Sequence, residues 1–152
     1  MSAATIREAR AEDIEAVARL FAEDSLGGHG DRWDESTRPA YEAAFAAIAA
    51  SPQNHLFVLE EAGAVVGTFQ VTFLPGFSGR GALRAKLEGV QVRGDRRSRG
   101  YGALMIAHAE AVARAGGAAS LALTSNKART DAHRFYERLG YARTHEGFKK
   151  TL

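Results

Sequence analysis

The chain has 152 residues, of which 45% are hydrophobic and 25% are charged, which is typical of one soluble globular domain spanning residues 1–152. The absence of cysteine excludes disulfide bonds and thiolate metal sites, and it fits a reducing compartment. The charged N-terminus lacks the apolar core of a secretion signal, and no apolar run is long enough to cross a membrane, so we expect a cytoplasmic protein without a membrane partner.

The net charge of +2 is unevenly distributed along the chain. Residues 1–61 carry 12 acids against 5 Lys and Arg, a balance of −7, whereas residues 62–152 carry 6 acids against 15, a balance of +9. This division indicates a cationic partner near the first half and an anionic partner near the second. A fold that mixes the two halves is the alternative explanation.

The first half of the chain predicts a strand, two helices and a pair of strands. A short strand is expected at residues 5–9, and apolar residues then recur at helical spacing between positions 14 and 21. A second helix follows a turn-rich segment and has Pro39 in its first turn. Residues 55–73 indicate two strands joined by a turn at Gly63.

The second half of the chain alternates strands with helices. The sequence predicts a strand at 83–93, a helix at 101–115, a buried strand at 119–124, a helix at 132–139 and a closing strand at 141–150. Such alternation is typical of a single α/β domain.

The strand at 83–93 changes phase at Gly89. Apolar residues occupy odd positions before this glycine, whereas Val90 and Val92 occupy even ones. One inserted residue shifts a two-residue period, so we predict a β-bulge, which glycine tolerates well. If Glu88 follows the phase of the two valines, its carboxylate faces an apolar side where burial raises its pKa, as suits a general base. An edge-strand glutamate in water is the alternative.

Residues 94–102, with the sequence GDRRSRGYG, join this strand to the following helix. Backbone N–H groups and the helix dipole favour an anion there, the glycines permit close approach, and the arginines attract it. The segment is not a Walker A loop, because no Gly-Lys-Ser/Thr follows, and Met105 replaces the third glycine of a dinucleotide fingerprint. It therefore predicts a phosphate site of another kind.

The sequence resembles the GNAT superfamily of acetyl-CoA-dependent N-acetyltransferases. Residues 97–102, RSRGYG, match the pyrophosphate loop of that family, and Asn126 followed by AHRFYERLGY matches its second motif. The resemblance implies a mixed, mostly antiparallel central sheet with a bulged strand, splayed between the fourth and fifth strands and flanked by about four helices. The tail after Tyr141 is shorter than in many relatives and leaves the C-terminal wall of the substrate site undefined.

The resemblance also implies how acetyl-CoA is bound, with no metal. Backbone amides of the loop hold the pyrophosphate, the main chain of a strand pairs with the pantetheine arm, and an asparagine adds a polar contact. The residues concerned are Val90, Val92, Arg97, Ser98, Arg99, Gly100, Tyr101, Gly102 and Asn126. The amide of Val90 is the candidate donor to the thioester oxyanion.

Acetyl transfer to an amine requires a base and an acid. An alkyl ammonium with a pKa of about 10.4 is only about one part in two thousand neutral at pH 7, and only the neutral amine attacks a thioester. The resemblance implies Glu88 as the general base, directly or through a water, and Tyr136 as the general acid that protonates the CoA thiolate. Tyr136 also continues the apolar stripe of its helix, so a purely structural role is the alternative.

The expected acceptor is a primary amine, and a small molecule is favoured over a protein. The residues expected to border it are Trp33, Asp34, Phe77 and His145, although ordinary surface positions are the alternative. Two other functions stay open, a catalytically silent acyl-CoA sensor and a basic nucleic-acid-binding module. The presence of Glu88 and Tyr136 favours an enzyme, and the acidic first half opposes nucleic acid. Relatives are frequently dimers, so a homodimer is also open.

Overall fold

The computed structural model describes residues 3–24 and 29–152. Within these ranges the chain forms a five-stranded sheet, four helices of two turns or more, one short helix and two 3-10 turns. The strands are β1 (Ala4–Glu8), β2 (Asn54–Glu61), β3 (Ala64–Leu74), β4 (Arg84–Val92) and β5 (Leu121–Ala122). The helices are α1 (Ile14–Ala22), α2 (Arg38–Ala50), α3 (Ser78–Gly81), α4 (Tyr101–Ala115) and α5 (Thr130–Arg138).

The strands follow one another across the sheet in chain order, from β1 at one edge to β5 at the other. The first four are antiparallel, and β5 runs parallel to β4. Among the described residues β4 and β5 pair only through Ala85 with Leu121 and Lys86 with Ala122, after which the two strands separate. The predicted mixed, mostly antiparallel sheet with a gap between the fourth and fifth strands is therefore confirmed.

Helix α4 covers one face of the sheet and forms the main core with it. The side chains of Phe69 on β3 and Met105 on α4 are fully buried there, and each such burial stabilises the fold by about 1.5–3 kcal/mol. Phe57 stacks on Phe69 with ring centroids 5.0 Å apart, and His108 of α4 meets Phe57 edge-on at 5.2 Å. The buried face of α4 consists of Met105, Ile106, Ala109 and Ala113, whereas Leu104 and Ala115 of the predicted apolar stripe are exposed.

Helices α1 and α2 lie over the opposite face. The start of α1 is attached to the sheet by Asp13, which accepts two hydrogen bonds from the Arg7 guanidinium, at 2.7 and 3.0 Å, and one from the Arg10 amide, at 2.7 Å. Burial raises the pKa of Asp13, but these donors outweigh burial and lower it overall. Arg7 also donates to Glu60 at 2.8 Å, so β1, β2 and α1 meet in one ionic cluster.

The C-terminal tail differs from the sequence prediction. Residues 142–152 are exposed and form no strand with the described part of the chain, so the closing strand predicted at 141–150 is wrong. The ordered packing ends at Tyr141, whose hydroxyl donates to Glu110 on α4 at 2.9 Å. Alternating polar and apolar residues show that a segment is able to form a strand. Whether it does so depends on a neighbouring strand to pair with, and the local sequence does not specify that neighbour.

Candidate active site

The β-bulge lies in β4 at Gly89, as predicted. In the pairing with β3, Gln70 faces Glu88 and Thr68 faces Gln91, so β4 contains one residue more than its partner. Gly89 has a φ of 61°, and a Cβ added there would lie 3.0 Å from Cζ of Phe21. Both the backbone conformation and the close approach of the Phe21 ring therefore require glycine at this position.

Glu88 lies on the opposite face of the sheet from the two valines. Val90 and Val92 pack against the core beneath α4, whereas Glu88 shares the other face with Gln70, its direct partner. The condition that Glu88 follows the valine phase is not met, because the inserted residue is Gly89 and the alternation changes only after Glu88. Its side chain is 48% exposed and lies 3.4 Å from the Lys86 ammonium, so the apolar surroundings expected for this carboxylate are not found.

The bulge also turns the main chain of β4 toward the gap. The amide of Arg93 donates to the Val66 carbonyl on β3 at 2.8 Å, and peptide groups point alternately to the two sides of a strand. Val90 and Val92 therefore direct their main-chain groups toward β5, which has already separated from β4 at this level. Ala85, before the bulge, bonds in the same direction, to the Ser120 carbonyl at 2.9 Å. If the regular alternation of β4 continued through Gly89 without a bulge, Val90 and Val92 would point toward β3.

The loop between β4 and α4 presents a row of backbone amides. Ser98 and Gly100 both have positive φ, at 61° and 80°, and α4 begins at Tyr101. The amides of residues 98–103 donate no hydrogen bond to any described residue, and the first turn of a helix has no acceptor for them within the helix. Successive free N–H groups at the positive end of a 15-residue helix form a site suited to an anion.

The arginines of this loop are not equivalent. Arg93 and Arg96 pair with Asp95 at 2.6 and 2.9 Å, and Arg96 also contacts Glu61 at 3.1 Å. Arg97 donates to the Val92 carbonyl at 3.3 Å. Arg99 is exposed and forms neither a hydrogen bond nor an ion pair with the described residues. Arg97 and Arg99, the two predicted phosphate ligands, thus form no ion pair with the described residues, although the charge of Arg99 acts on Glu61 at longer range.

Tyr136 is half-buried on α5 and packs edge-on against Tyr141 at 6.0 Å. Burial raises the pKa of its hydroxyl, and the nearby Arg129 partly lowers it again. This hydroxyl donates no hydrogen bond to the described residues, so its proton is not committed within that part of the fold. Asn126 lies in the connection from β5 to α5, where its side-chain oxygen accepts from the Ala128 amide at 2.9 Å. Its role in the structure is therefore to shape the turn before α5.

An ion pair that the sequence analysis missed crosses the gap. Arg129, just before α5, pairs with Asp24 at the end of α1, and Gln91 on β4 donates to the same carboxylate at 2.8 Å. This bridge, defined by Asp24, Gln91 and Arg129, connects the two sides of the splayed sheet beside the bulge. No local pattern indicates it, because Asp24 and Arg129 are 105 positions apart.

The predicted acceptor residues are dispersed. Trp33 is half-buried and lies 6.0 Å from the ring of Tyr41 on α2. Asp34 accepts hydrogen bonds from Ser36 and from neighbouring amides and pairs with Arg32, and these contacts lower its pKa to about 2. The side chain of Phe77 and that of His145 are exposed. Residues 27 and 28 of the same predicted loop lie outside the described residues.

Residues 14–141 match the family model described as the acetyltransferase (GNAT) family. This span includes the bulged strand, the phosphate-type loop and the second motif. The chain belongs to the GNAT acetyltransferase family. The reaction class predicted from the two motifs, acetyl-CoA-dependent N-acetyl transfer, is thereby confirmed.

This GNAT chain is similar to the following three known proteins. It is 30% identical to an aminoalkylphosphonate N-acetyltransferase from Salmonella typhimurium, over 100% of this chain and 94% of that protein. It is 36% identical, with a TM-score of 0.94, to a crystal structure from Bacillus halodurans C-125 described as a transcriptional regulator, over 99% of this chain and 100% of that one. An aminoglycoside N-acetyltransferase in complex with CoA has the same fold, with 19% identity, a TM-score of 0.82 and coverage of 100% and 96%.

Two further observations concern metals and membranes. Among the residues that the structure describes, no group of three or more His, Cys, Asp or Glu side chains is arranged to hold a metal ion. Within the same ranges, no helix combines the length and the apolar composition needed to cross a membrane.

Proposed function

We propose that this chain acts as a single domain, residues 1–152, which transfers the acetyl group of acetyl-CoA to the primary amine of a small molecule. The observation that carries the proposal is the bulge at Gly89. It directs the main chain of Val90 and Val92 into an open gap, and the same strand then leads directly into a loop of free amides. A long ligand with an anionic end and an amide-containing arm matches this arrangement.

Different residues of the site bind different parts of acetyl-CoA. The amides of Ser98 to Gly102, assisted by the guanidinium groups of Arg97 and Arg99, are suited to the pyrophosphate. Val90 and Val92 offer main-chain groups to the pantetheine arm in place of the strand that β5 does not provide at this level. The amide group of the Asn126 side chain is the further polar contact to this arm. An aminoglycoside N-acetyltransferase with the same fold has been solved in complex with CoA, which supports CoA as the ligand.

The chemistry proceeds by direct attack in a ternary complex. Glu88 removes a proton from the ammonium group, through a water because its carboxylate is exposed, and the neutral nitrogen attacks the thioester carbon. The Val90 amide donates to the oxyanion that forms. A nitrogen–carbon bond replaces the carbon–sulfur bond, and Tyr136 protonates the departing thiolate. Its raised pKa keeps the hydroxyl protonated at neutral pH until then.

The proposed acceptor class draws on the comparison with known proteins. Because a relative at 30% identity is an aminoalkylphosphonate N-acetyltransferase, small amines of that kind belong in the first acceptor panel. Trp33 and Asp34, in the segment before α2, are the proposed polar and aromatic contacts of the acceptor, and Phe77 and His145 are further contacts on its outer side. We include a cytoplasmic location, a homodimer and the absence of nucleic-acid and membrane partners in the proposal.

The proposal is tested by amine-dependent release of the CoA thiol from acetyl-CoA. We expect turnover with at least one primary amine and a large loss of rate in both Glu88→Gln and Tyr136→Phe. Glu12→Gln, an exposed acid that pairs with Arg10, serves as the matched control and keeps the wild-type rate. Turnover that is independent of added amine, or full rates in both site variants, would contradict the proposed mechanism.

A second candidate, a silent acyl-CoA sensor, is favoured by one observation. The relative from Bacillus halodurans with 36% identity is described as a transcriptional regulator. For this chain the sensor hypothesis predicts acetyl-CoA binding without turnover across the whole amine panel. Salt-sensitive binding of an oligonucleotide without acetyl-CoA binding would instead favour the nucleic-acid module.

A further inference from the structure

A cavity that is open to solvent lies on the face of the sheet opposite the main core. It is formed between α1, α2 and the central strands, and its volume is about 150 Å³. Val17 and Phe21 of α1 form one wall, and Tyr41 and Phe45 of α2 form another. A dry apolar cavity of about this volume accommodates a benzene ring.

The cavity reaches the proposed site of chemistry at the bulge. Gly89, which forms the bulge, lines it together with Gln70, and Gln70 lies directly opposite Glu88 in the β3–β4 pairing. The absence of a side chain at Gly89 leaves room for the Phe21 ring, which forms the wall at this end. A group placed in the cavity therefore lies on the same face of the sheet as the proposed base and next to the strand that positions the thioester.

The charged groups that line the cavity are already paired within the fold. Arg10 is one of them, and its guanidinium lies 3.3 Å from the Glu12 carboxylate. Asp13 contributes to its wall, but the carboxylate is engaged by two Arg7 nitrogens and the Arg10 amide, so its charge is compensated within the fold. The amide nitrogen of Gln70 donates to Asn54 at 3.1 Å. Tyr41 also lines the cavity, and its hydroxyl donates to Asp31 at 2.5 Å. The free walls are therefore apolar.

We propose that this cavity selects the acceptor, and that the preferred substrates are primary amines carrying one compact apolar group of about the size of a benzene ring. This inference rests on the proposed function and specifies its substrate class. The apolar group enters between α1 and α2, and the ammonium stays at the bulge beside Glu88, in water until its proton is removed. Burying the group in an apolar cavity supplies the binding free energy.

The experiment compares apolar and polar acceptors of similar length. Ethanolamine and aminomethylphosphonate represent the polar class, and benzylamine, 2-phenylethylamine and 3-phenylpropylamine represent the apolar class with increasing spacers. Each buried CH2 group is worth about fourfold in affinity, so we expect kcat/KM for the best phenylalkylamine to exceed that for ethanolamine by about tenfold or more.

Two substitutions on α2 distinguish the cavity from a general effect. Ala44 lines the cavity and its neighbour Ala43 on the same helix does not, although both residues are exposed. Ala44→Phe fills the space and should lower kcat/KM for the best phenylalkylamine about tenfold or more beyond any loss with ethanolamine, with the KM for acetyl-CoA unchanged. Ala43→Phe should leave all of these values as they are in the wild type.

A binding measurement that does not require turnover distinguishes failure of this inference from failure of the proposed function. The thermal midpoint of the CoA-saturated protein should rise with the best phenylalkylamine in the wild type and in Ala43→Phe, but not in Ala44→Phe. Acetylation of the polar amines alone, or equal losses for both amine classes in Ala44→Phe, would overturn the inference and leave the proposed function intact. Without turnover of any amine the proposed function fails, and the midpoints still decide whether the cavity binds the apolar group.

Discussion

Glu88 performs proton removal in this account from an exposed position beside Lys86. We predict that Glu88→Gln lowers kcat/KM at pH 7 by about 10²–10³, within the usual contribution of general base catalysis. The loss should shrink as the pH approaches 10, because an alkylamine with a pKa of about 10.4 then supplies its own neutral form. Rate profiles from pH 6.5 to 10 measure this, with Glu12→Gln as the control. A deficit that does not change with pH would contradict the base role.

Tyr136 is the second residue whose role is chemical, and a neighbouring tyrosine provides its control. Tyr136→Phe should lower kcat by about 10² while the Kd for acetyl-CoA stays unchanged, because only protonation of the thiolate is lost. Tyr141→Phe removes the hydrogen bond to Glu110 and should lower the free energy of unfolding by about 1 kcal/mol without changing kcat. Steady-state rates and chemical denaturation measure the pair. A matching loss of stability in Tyr136→Phe with full activity would assign Tyr136 to the core.

At the scale of elements, the bulge of β4 determines where the main chain of the strand points. Gly89→Ala puts an alanine at a positive φ, and its Cβ lies 3.0 Å from the Phe21 ring. Gly63→Ala also puts an alanine at a positive φ, of 79°, but no atom lies within 4 Å of its Cβ. Each change should cost about 1–2 kcal/mol of unfolding free energy through the backbone. Only Gly89→Ala should also lower kcat/KM by about tenfold or more, because it reorients the Val90 amide. Similar kinetics in the two variants would separate the bulge from catalysis.

The bridge formed by Asp24, Gln91 and Arg129 connects α1, β4 and the start of α5 across the gap. We predict that Arg129→Met raises the Kd for acetyl-CoA several-fold, because β4 and α5 lose a fixed spacing. Its matched control is Arg134→Met, which removes a largely exposed pair with Asp131 on the same helix and should have no effect on this Kd. Calorimetric titration of both variants measures the difference. An unchanged Kd in Arg129→Met would limit the bridge to stability.

For the whole molecule, the sequence predicted the features that depend on neighbouring residues. The period-2 pattern located the bulge at Gly89, and the helical stripes located α1, α2, α4 and α5. The features it missed depend on distant partners. The face on which Glu88 lies depends on the pairing of β4 with β3, in which Gly89 is the residue without a partner. The ion pair of Asp24 with Arg129 depends on residues from the two halves of the chain. This pair and that of Glu61 with Arg96 also show that the acidic first half and the basic second half are partly mixed in the fold.

The central claim is that the gap and the loop after β4 bind acetyl-CoA. Thermal unfolding with acetyl-CoA, CoA, pantetheine and a short oligonucleotide tests it most directly. At 100-fold excess over its Kd, a ligand adds about 2.7 kcal/mol of stability, which shifts the midpoint by several degrees. We predict this shift with acetyl-CoA and CoA, a much smaller one with pantetheine, which lacks the pyrophosphate, and none with the oligonucleotide. No shift with acetyl-CoA, or a shift with the oligonucleotide alone, would contradict the account.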